Sequence, residues 1–163
     1  MLCILFLSSI IWSAGFPTIR TKALSNEWVE LPIKEVVQLY VIGFDQESGK
    51  HMADWVRGLE LRPTSNITWY QLPVIGGVPP FVDGFIVNGM KKSILEKMHG
   101  TVLPYFGNRY KVMDVLIEGS GLEDEVAPFI VILDEDTQVT LNIQGYATTK
   151  NIQIVNQKLQ AFQ

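Results

Sequence analysis

Cysteine is almost absent from this chain. Of its 163 residues one is a cysteine, Cys3, so the chain can form no internal disulfide, no CxxC redox pair and no cysteine-based zinc site. Histidine is also scarce, because only His51 and His99 are present, and this disfavours a histidine-rich metal site. We therefore expect neither a bound metal nor a cofactor.

Basic residues are also fewer than acidic ones. Thirteen lysines and arginines stand against seventeen aspartates and glutamates, and the formal net charge is −4. A general nucleic-acid binder carries a basic face, so we expect no nucleic-acid partner. Charged residues make up only 18% of the chain and hydrophobic residues 47%, a balance that excludes intrinsic disorder. The length indicates a single domain.

The one long uncharged apolar stretch near the start, residues 2–12, is too short to cross a bilayer, which takes about 20 residues. Its length and composition are typical of the central region of a secretory signal peptide. Small residues at Ser13 and Gly15 would allow cleavage after Gly15, although no lysine or arginine precedes the run. A buried terminal strand and a retained membrane anchor therefore stay open as alternatives.

These observations divide the chain into residues 1–15, a signal peptide or apolar segment, and residues 16–163, a single domain. The division predicts an exported protein that is periplasmic, secreted or associated with a membrane through its first segment. The sequence leaves the oligomeric state open.

The first half of the domain predicts a βαβ unit. Residues 36–44 are almost continuously apolar, which suits a strand covered on both faces. Four apolar residues follow at the helical spacing i, i+3, i+4, i+7: Met52, Trp55, Val56 and Leu59. They predict a helix over residues 47–59, with Asp45 or Ser48 as its N-cap. A second strand is predicted over residues 67–72, and a right-handed crossover should join it to the first.

The middle of the chain is less regular. After the apolar loop 76–81 (GGVPPF), we predict a helix over residues 81–97, with most of its apolar residues on one face: Phe81, Phe85, Ile86, Met90, Ile94 and Met98. The loop is either a partner-docking surface or a rigid turn whose prolines start the helix. Residues 104–108 read as irregular, and residues 111–117 are predicted to form a strand.

The last third predicts a β-hairpin and a closing helix. Residues 129–133 form an apolar strand, and the alternation of residues 139–143 predicts a half-buried antiparallel partner. Thr148 or Thr149 can then cap a final helix.

Together these elements follow the order of the thioredoxin-like fold. We therefore expect a three-layer α/β/α sandwich whose central mixed sheet combines a parallel βαβ unit with a C-terminal antiparallel hairpin and helix. Residues 127–134 (APFIVILD) resemble a segment of redoxin and peroxiredoxin-type chains. In those chains a proline, usually cis, precedes an apolar strand and an acidic turn. Residues 145–147 (GYA) and 16–18 (FPT) are similar to the ending and the lead-in of such chains. The resemblance implies a cis bond before Pro128.

The chain differs from that family at the segment that carries the reactive cysteines of its active members. Active members carry CxxC or a reactive cysteine after the first core strand, at a helix N-terminus that stabilises the thiolate. Here the segment 43–50 reads GFDQESGK, and Ser48 cannot substitute because a hydroxyl forms no mixed disulfide. We therefore expect no thiol–disulfide exchange and no cysteine peroxidase activity. The chain is also similar to the mitochondrial ATP-synthase assembly factors, thioredoxin-like proteins that do not rely on CxxC, through Trp55, Tyr70-Gln71 and the Gly-x-Ala of residues 145–147.

These features favour a non-catalytic module that binds a protein or peptide near the Pro128 edge and the 44–50 loop, or one that serves as an assembly factor. The expected binding residues are Phe44, Asp45, Ser48, His51, Phe81, Tyr105, Phe106, Arg109, Ala127 and Pro128. We expect no catalytic residue among them. The alternative is an enzyme of redoxin ancestry with a cysteine-independent site at Asp45, Ser48 and His51, in which the histidine would serve as a base.

Overall fold

The structure is a computed structural model that describes residues 15–117 and 124–162. It begins with a two-stranded antiparallel hairpin of β1 (Ile19–Lys22) and β2 (Trp28–Leu31). The first and third residues of β1 are buried and the other two are exposed, as the period of two in a strand requires when one face is covered.

Four further strands form the central sheet: β3 (Gln38–Gly43), β4 (Thr68–Pro73), β5 (Phe129–Leu133) and β6 (Val139–Gln144). Their order is β4-β3-β5-β6. Strands β3 and β4 run parallel, whereas β5 is antiparallel to both β3 and β6. The predicted mixed sheet, with its parallel unit and C-terminal hairpin, is confirmed.

The helices in the described residues are α1 (Ser48–Gly58), α2 (Asp83–Ser93), α3 (Arg109–Ile117) and α4 (Thr149–Gln160), with 3-10 helices at Pro80–Val82 and Glu96–Thr101. In these parts of the chain no helix has the length and apolar character needed to cross a bilayer. The predicted signal peptide covers residues 1–15, of which 1–14 lie outside the described residues, and it stays a prediction.

Apolar side chains cover both faces of the sheet. On one face, Trp55 of α1 and Val155 of α4 pack against side chains of β3 and β5 that include Leu39. On the other, Val112 and the rest of the buried side of α3 pack on a set that includes Tyr40. Because Leu39 and Tyr40 are neighbours in a strand, they point to opposite faces. The predicted three-layer arrangement is therefore present.

The strand predicted over residues 111–117 is wrong, because this segment forms α3. Asn108 begins the helix by accepting a 3.0 Å hydrogen bond from the backbone N–H of Tyr110 through its side-chain oxygen. The buried residues Val112, Met113 and Leu116 lie on one side of a helix, whereas a strand would direct the first two to opposite faces. Only one side of the segment contacts the core, which favours the helix.

The long helix predicted over residues 81–97 is interrupted. It divides into the 3-10 helix Pro80–Val82 and α2, and then ends at Ile94, whose backbone is extended. Neither helix, nor the following 3-10 helix, contains a fully buried residue. Phe81 and Phe85, which the pattern assigns to the inner face, are instead 77% and 76% exposed. The segment is therefore a surface layer rather than core.

The segment after the second 3-10 helix pairs with the free edge of β4. The backbone N–H of Leu103 donates to Gln71 O at 2.8 Å, and that of Tyr105 donates to Pro73 O at the same distance. Ile75 returns a 2.7 Å hydrogen bond to Tyr105 O. This pairing occupies the edge of β4, where a peptide could otherwise add as a further strand.

Candidate binding site

Gly43 sets how closely α1 approaches the end of β3. A Cβ atom on this glycine would lie 2.8 Å from Ser48 Cβ and 2.6 Å from Met52 Sδ, closer than atoms can pack. The absence of a side chain therefore lets α1 begin directly against the carboxyl end of the central strand. This is the position at which active thioredoxin-like proteins place their reactive cysteine.

Ser48, the first residue of α1, connects the loop before the helix to the segment that leads into β5. It is fully buried, and its Oγ accepts from Asp45 N at 3.3 Å and donates to Glu125 O at 3.2 Å. The Asp45 carboxylate is also engaged, because it accepts a 2.7 Å hydrogen bond from Glu47 N. The predicted capping role of Asp45 or Ser48 is wrong, since the N-cap is Glu47 and makes no side-chain capping bond.

His51 faces neither of those residues. Its ring lies edge-on to the ring of Tyr146 with 4.7 Å between centroids, and its Nδ1 is 3.6 Å from Asp54 Oδ2. Asp45 and Ser48 instead bond to each other, to Glu47 N and to Glu125 O. The three residues of the alternative enzyme hypothesis therefore do not form a nucleophile–base arrangement, which needs hydrogen-bond reach between its members.

Asp124 organises the segment that leads into β5. Its Oδ1 accepts hydrogen bonds from Val126 N at 2.9 Å and Ala127 N at 3.2 Å, while Oδ2 accepts from the Tyr146 hydroxyl at 2.8 Å. The hydrogen bond from Tyr146, followed by those from the two backbone N–H groups, lowers the pKa of Asp124. The same side-chain hydrogen bond raises the pKa of Tyr146, because a phenolate could not donate to the carboxylate.

Replacing Asp124 with asparagine is expected to lower the melting temperature at neutral pH, because the amide nitrogen cannot accept the Tyr146 hydrogen bond. Since folding lowers this pKa, the stabilisation is present above the carboxyl's ordinary value of 3.8 and is lost as the pH falls through the lower folded value. Melting curves followed by circular dichroism should therefore converge for the two proteins at acidic pH. Asp114→Asn, at an exposed site in α3, is the control. A gap that persists unchanged into strong acid would contradict this role of Asp124.

The polar backbone groups ahead of Pro128 already have partners. Besides the two N–H groups held by Asp124, Glu125 O accepts from Ser48, and Ala127 O accepts from Gln144 Nε2 at 3.4 Å. The expected cis bond before Pro128 is also wrong, because in the described residues the cis bond is Leu31–Pro32. The turn closed by Asp124 leads the chain into β5 here, and both Ala127 and Pro128 are buried.

Arg109 joins the end of β3 to the loop that follows β4. Its guanidinium lies 5.8 Å from the centre of the Phe44 ring, and its Nε donates to Met113 Sδ at 3.4 Å. Phe44 is buried and meets Phe129 edge-on, with 5.8 Å between ring centroids. A Cβ atom on Gly76 would lie 3.1 Å from both Cβ and Cδ of Arg109. The glycine therefore allows the loop to pass close to the Arg109 side chain.

Phe81 is a strongly exposed aromatic residue in the loop that follows β4. Pro79 is extended and Pro80 begins the 3-10 helix, as expected of a rigid turn whose prolines start a helix. The turn holds Phe81 77% exposed. Tyr105 and Phe106 are half-buried and follow the segment paired with β4. The loop is thus both a rigid turn and an exposed apolar surface.

The structure brings two pairs of the ten predicted binding residues into contact. Phe44 and Arg109 are in contact, as are Asp45 and Ser48. Sequence reasoning missed the roles of Asp124, Tyr146, Gly43 and Gly76. An aspartate in a loop commonly accepts a hydrogen bond from the backbone N–H two residues later, which forms an Asx turn. The aspartate at position 124 was therefore a sequence signal for a turn.

Two grooves lie away from this region. One, of about 500 Å³, is lined by residues that include Leu61 and Lys97, and the other, of about 620 Å³, by residues that include Glu35 and Leu159. Within the described ranges no group of three or more His, Cys, Asp or Glu side chains could hold a metal ion. The region around Phe44, Arg109 and Phe81 is therefore a candidate for binding macromolecules rather than a metal centre.

Comparisons with known proteins match the fold. No known family model matches the chain, and no curated protein matches it in sequence. Among solved structures, the exposed lipoprotein thioredoxin of Streptococcus pneumoniae superposes with a TM-score of 0.57 at 14% identity, covering 86% of this chain and 98% of its own. BsSco, a member of the Sco family of cytochrome c oxidase assembly proteins, gives 0.57 at 15%, with 90% and 92% covered. A DsbF homologue from Corynebacterium diphtheriae gives 0.55 at 13%, with 89% and 86% covered.

Each superposition covers 86% or more of this chain and of the solved structure. The chain therefore has the thioredoxin-like fold.

Proposed function

We propose that the chain is a non-catalytic thioredoxin-like module that binds a protein or peptide and serves as an assembly factor. The observation that carries the proposal is the exposed Phe81, held on the proline turn of the loop whose Gly76 lies against Arg109. It lies at the carboxyl side of the parallel strands, where open α/β sheets bind their ligands.

The residue types support this use of the surface. Arginine and aromatic side chains are enriched in protein interfaces and among the residues that contribute most to binding energy. Arg109 is half-buried and fixed by Phe44 and Met113, so less of its rotamer freedom would be lost on binding. A partner would contact Phe81 and Arg109, with Tyr105 and Phe106 beside them.

The hydrogen bonds near Pro128 argue for side-chain contacts rather than strand addition. Redox-active relatives grip an extended substrate there by backbone hydrogen bonds, whereas the corresponding groups here are bonded to Asp124, Ser48 and Gln144. We therefore propose that the partner contacts the surface around Phe81 rather than the backbone next to Pro128. His51 and Asp45 would lie at its margin.

The assembly role and the export of the chain rest on the resemblances. BsSco belongs to a family of cytochrome c oxidase assembly proteins, and the Streptococcus pneumoniae relative is an exposed lipoprotein. Both compare with this chain at low identity, so export and an assembly role are part of the proposal. The apolar residues 2–12 support export independently.

Site-specific photo-crosslinking in the cells that express the full chain tests the binding surface. A photoreactive phenylalanine analogue placed at Phe81 should give a discrete protein adduct, and the same analogue at Phe162, the exposed aromatic near the C-terminus, should not. Arg109→Ala should reduce the adduct from position 81 without changing the melting temperature by more than a few degrees. Absence of an adduct at position 81, or equal adducts at both positions, would refute the proposal.

The proposal also predicts the outcome of a thiol assay. The purified full chain should not accelerate the reduction of insulin disulfides by dithiothreitol, because its single cysteine, Cys3, has no partner for a CxxC pair and Ser48 cannot form a mixed disulfide. A thioredoxin with an intact CxxC serves as the positive control. Acceleration that survives repurification would contradict a non-catalytic role.

A further inference from the structure

The hairpin of β1 and β2 has one edge that contacts the rest of the protein and one edge that is open. Just before β1, Thr18 O accepts a 2.7 Å hydrogen bond from Lys111 Nζ, and just after it Leu24 N donates to Val102 O at 3.0 Å. These two contacts hold both ends of the β1 edge. Strand β2 pairs with β1 in a two-stranded sheet, so the other edge of β2 has no neighbouring strand in the part of the chain that the structure describes.

The hydrogen-bond pattern of the hairpin identifies the free backbone groups of β2. Ala23 N donates to Glu27 O at 2.8 Å, and hydrogen-bonded pairs alternate with non-bonded pairs along an antiparallel ladder. Trp28 and Glu30 belong to the non-bonded set, so their N–H and C=O groups point away from β1. Within residues 15–117 and 124–162 these four groups make no hydrogen bond. The open edge therefore offers two donors and two acceptors.

The outer face of the hairpin carries a large exposed aromatic side chain beside this edge. Trp28 is 62% exposed, and the Arg20 guanidinium lies 4.9 Å from the centre of its ring. Across the hairpin, Arg20 is the neighbour of Glu30, and Lys22 is the neighbour of Trp28. Proteins commonly protect an edge strand with lysine or proline, and β2 (WVEL) contains neither. The edge is therefore suited to pairing with another strand.

We propose that β2 pairs with β2 of a second copy of this chain, antiparallel about a two-fold axis at Val29. In this register Trp28 of each copy lies opposite Glu30 of the other, so the residues that meet are those with free backbone groups. Each row across the four strands then reads Arg20, Glu30, Trp28, Lys22. No like charges lie directly opposite each other, and the two Trp28 rings are diagonal neighbours within reach of one another.

This self-complementarity favours a second copy over a foreign strand. A two-fold interface requires a surface that is complementary to itself, and the alternation of basic, acidic and aromatic residues in β1 and β2 meets that requirement. A contact between two strands of four residues is small beside the roughly 1,200 Å² that a stable interface buries, so the dimer forms only at high concentration. The dimer joins two copies of the Phe81 surface, and a partner with two binding segments would gain affinity from both.

Sedimentation equilibrium of the full chain from micromolar to millimolar concentration tests the proposal. The wild type should dimerise as its concentration rises. Trp28→Ser should weaken association about tenfold, because it removes the aromatic contact. Glu30→Pro should weaken it by about as much, because it removes an outward N–H from each copy, and an edge strand tolerates proline where its N–H faces solvent. The matched control, Tyr110→Ser, changes an aromatic residue of α3 that is 63% exposed and should dimerise as the wild type does.

Photo-crosslinking distinguishes a second copy from a foreign strand. A photoreactive phenylalanine analogue at position 28 of the full chain, in the cells that express it, should give an adduct with twice the mass of the chain. An adduct of any other mass would assign the edge to a different protein and overturn the proposal. A monomer at every concentration, or a folded Glu30→Pro variant that dimerises as the wild type does, would also overturn it. Melting curves that match the wild type identify the variants that are folded.

Discussion

Replacement of Trp55 with alanine is expected to lower the free energy of unfolding by about 3–5 kcal/mol. The side chain is fully buried between α1 and the sheet, so its removal exposes apolar surface to water and leaves a cavity. It also donates a hydrogen bond from Nε1 to Gly145 O at 2.8 Å. That bond joins α1 to the end of β6, and the carbonyl would lose its partner.

Urea unfolding followed by circular dichroism measures this effect. Trp55→Phe is the matched variant, because it retains most of the apolar volume and loses mainly the hydrogen bond, for which about 1–3 kcal/mol is expected. The alanine variant should therefore be clearly less stable than the phenylalanine variant. A cost below about 1 kcal/mol for alanine would contradict the placement of Trp55 in the core.

Replacement of Gly43 with alanine is expected to destabilise the protein by about 1–3 kcal/mol, because the added methyl group meets tightly packed atoms. The nearest are Met52 Sδ at 2.6 Å and Ser48 Cβ at 2.8 Å. To relieve this contact, the start of α1 must move away from β3. The hydrogen bond from Ser48 Oγ to Glu125 O should weaken with it.

Gly49→Ala is the internal control, since Gly49 lies one residue into the same helix and a Cβ there meets nothing within 4 Å. Alanine favours the helix over glycine by up to about 1 kcal/mol, so this variant should match or exceed the wild type in stability. Equal melting temperatures for the two alanine variants would contradict the close approach of α1 to the sheet.

The centre of the sheet was predictable because strands covered on both faces have a distinctive sequence pattern. Residues 36–44 and 129–133 are nearly continuous apolar runs, and they became β3 and β5, the two interior strands. The alternation of residues 139–143 indicated a half-buried strand, and β6 lies at an edge. In each case burial on one or two faces leaves a direct trace in the residue pattern.

The middle of the chain was harder to predict because its apolar residues do not all face the core. The pattern assigned Phe81 and Phe85 to the inner side of a helix, but both are exposed. In the segment 111–117, apolar residues suit a strand as well as a helix, and the choice depended on which face the sheet covers. That information comes from tertiary packing, and local sequence does not contain it.

The location of the candidate site could be predicted from the sequence, but the contacts within it could not. The loop after the first core strand and the Pro128 segment do meet, through Ser48 and Glu125. The role of Asp124 depends on Tyr146, which is 22 residues away in sequence. A contact over that distance follows from the β5–β6 hairpin, so it can be deduced only once the strands are paired.

The proposed function requires a thioredoxin-like scaffold that binds its partner through the exposed Phe81 and without a reactive cysteine. The most direct test is photo-crosslinking from position 81 in a full chain that also carries Cys3→Ser, the change that removes its single cysteine. We predict the same protein adduct, in the same yield, with and without the cysteine. Loss of the adduct in the cysteine-free chain would contradict the account, because partner binding would then require a thiol.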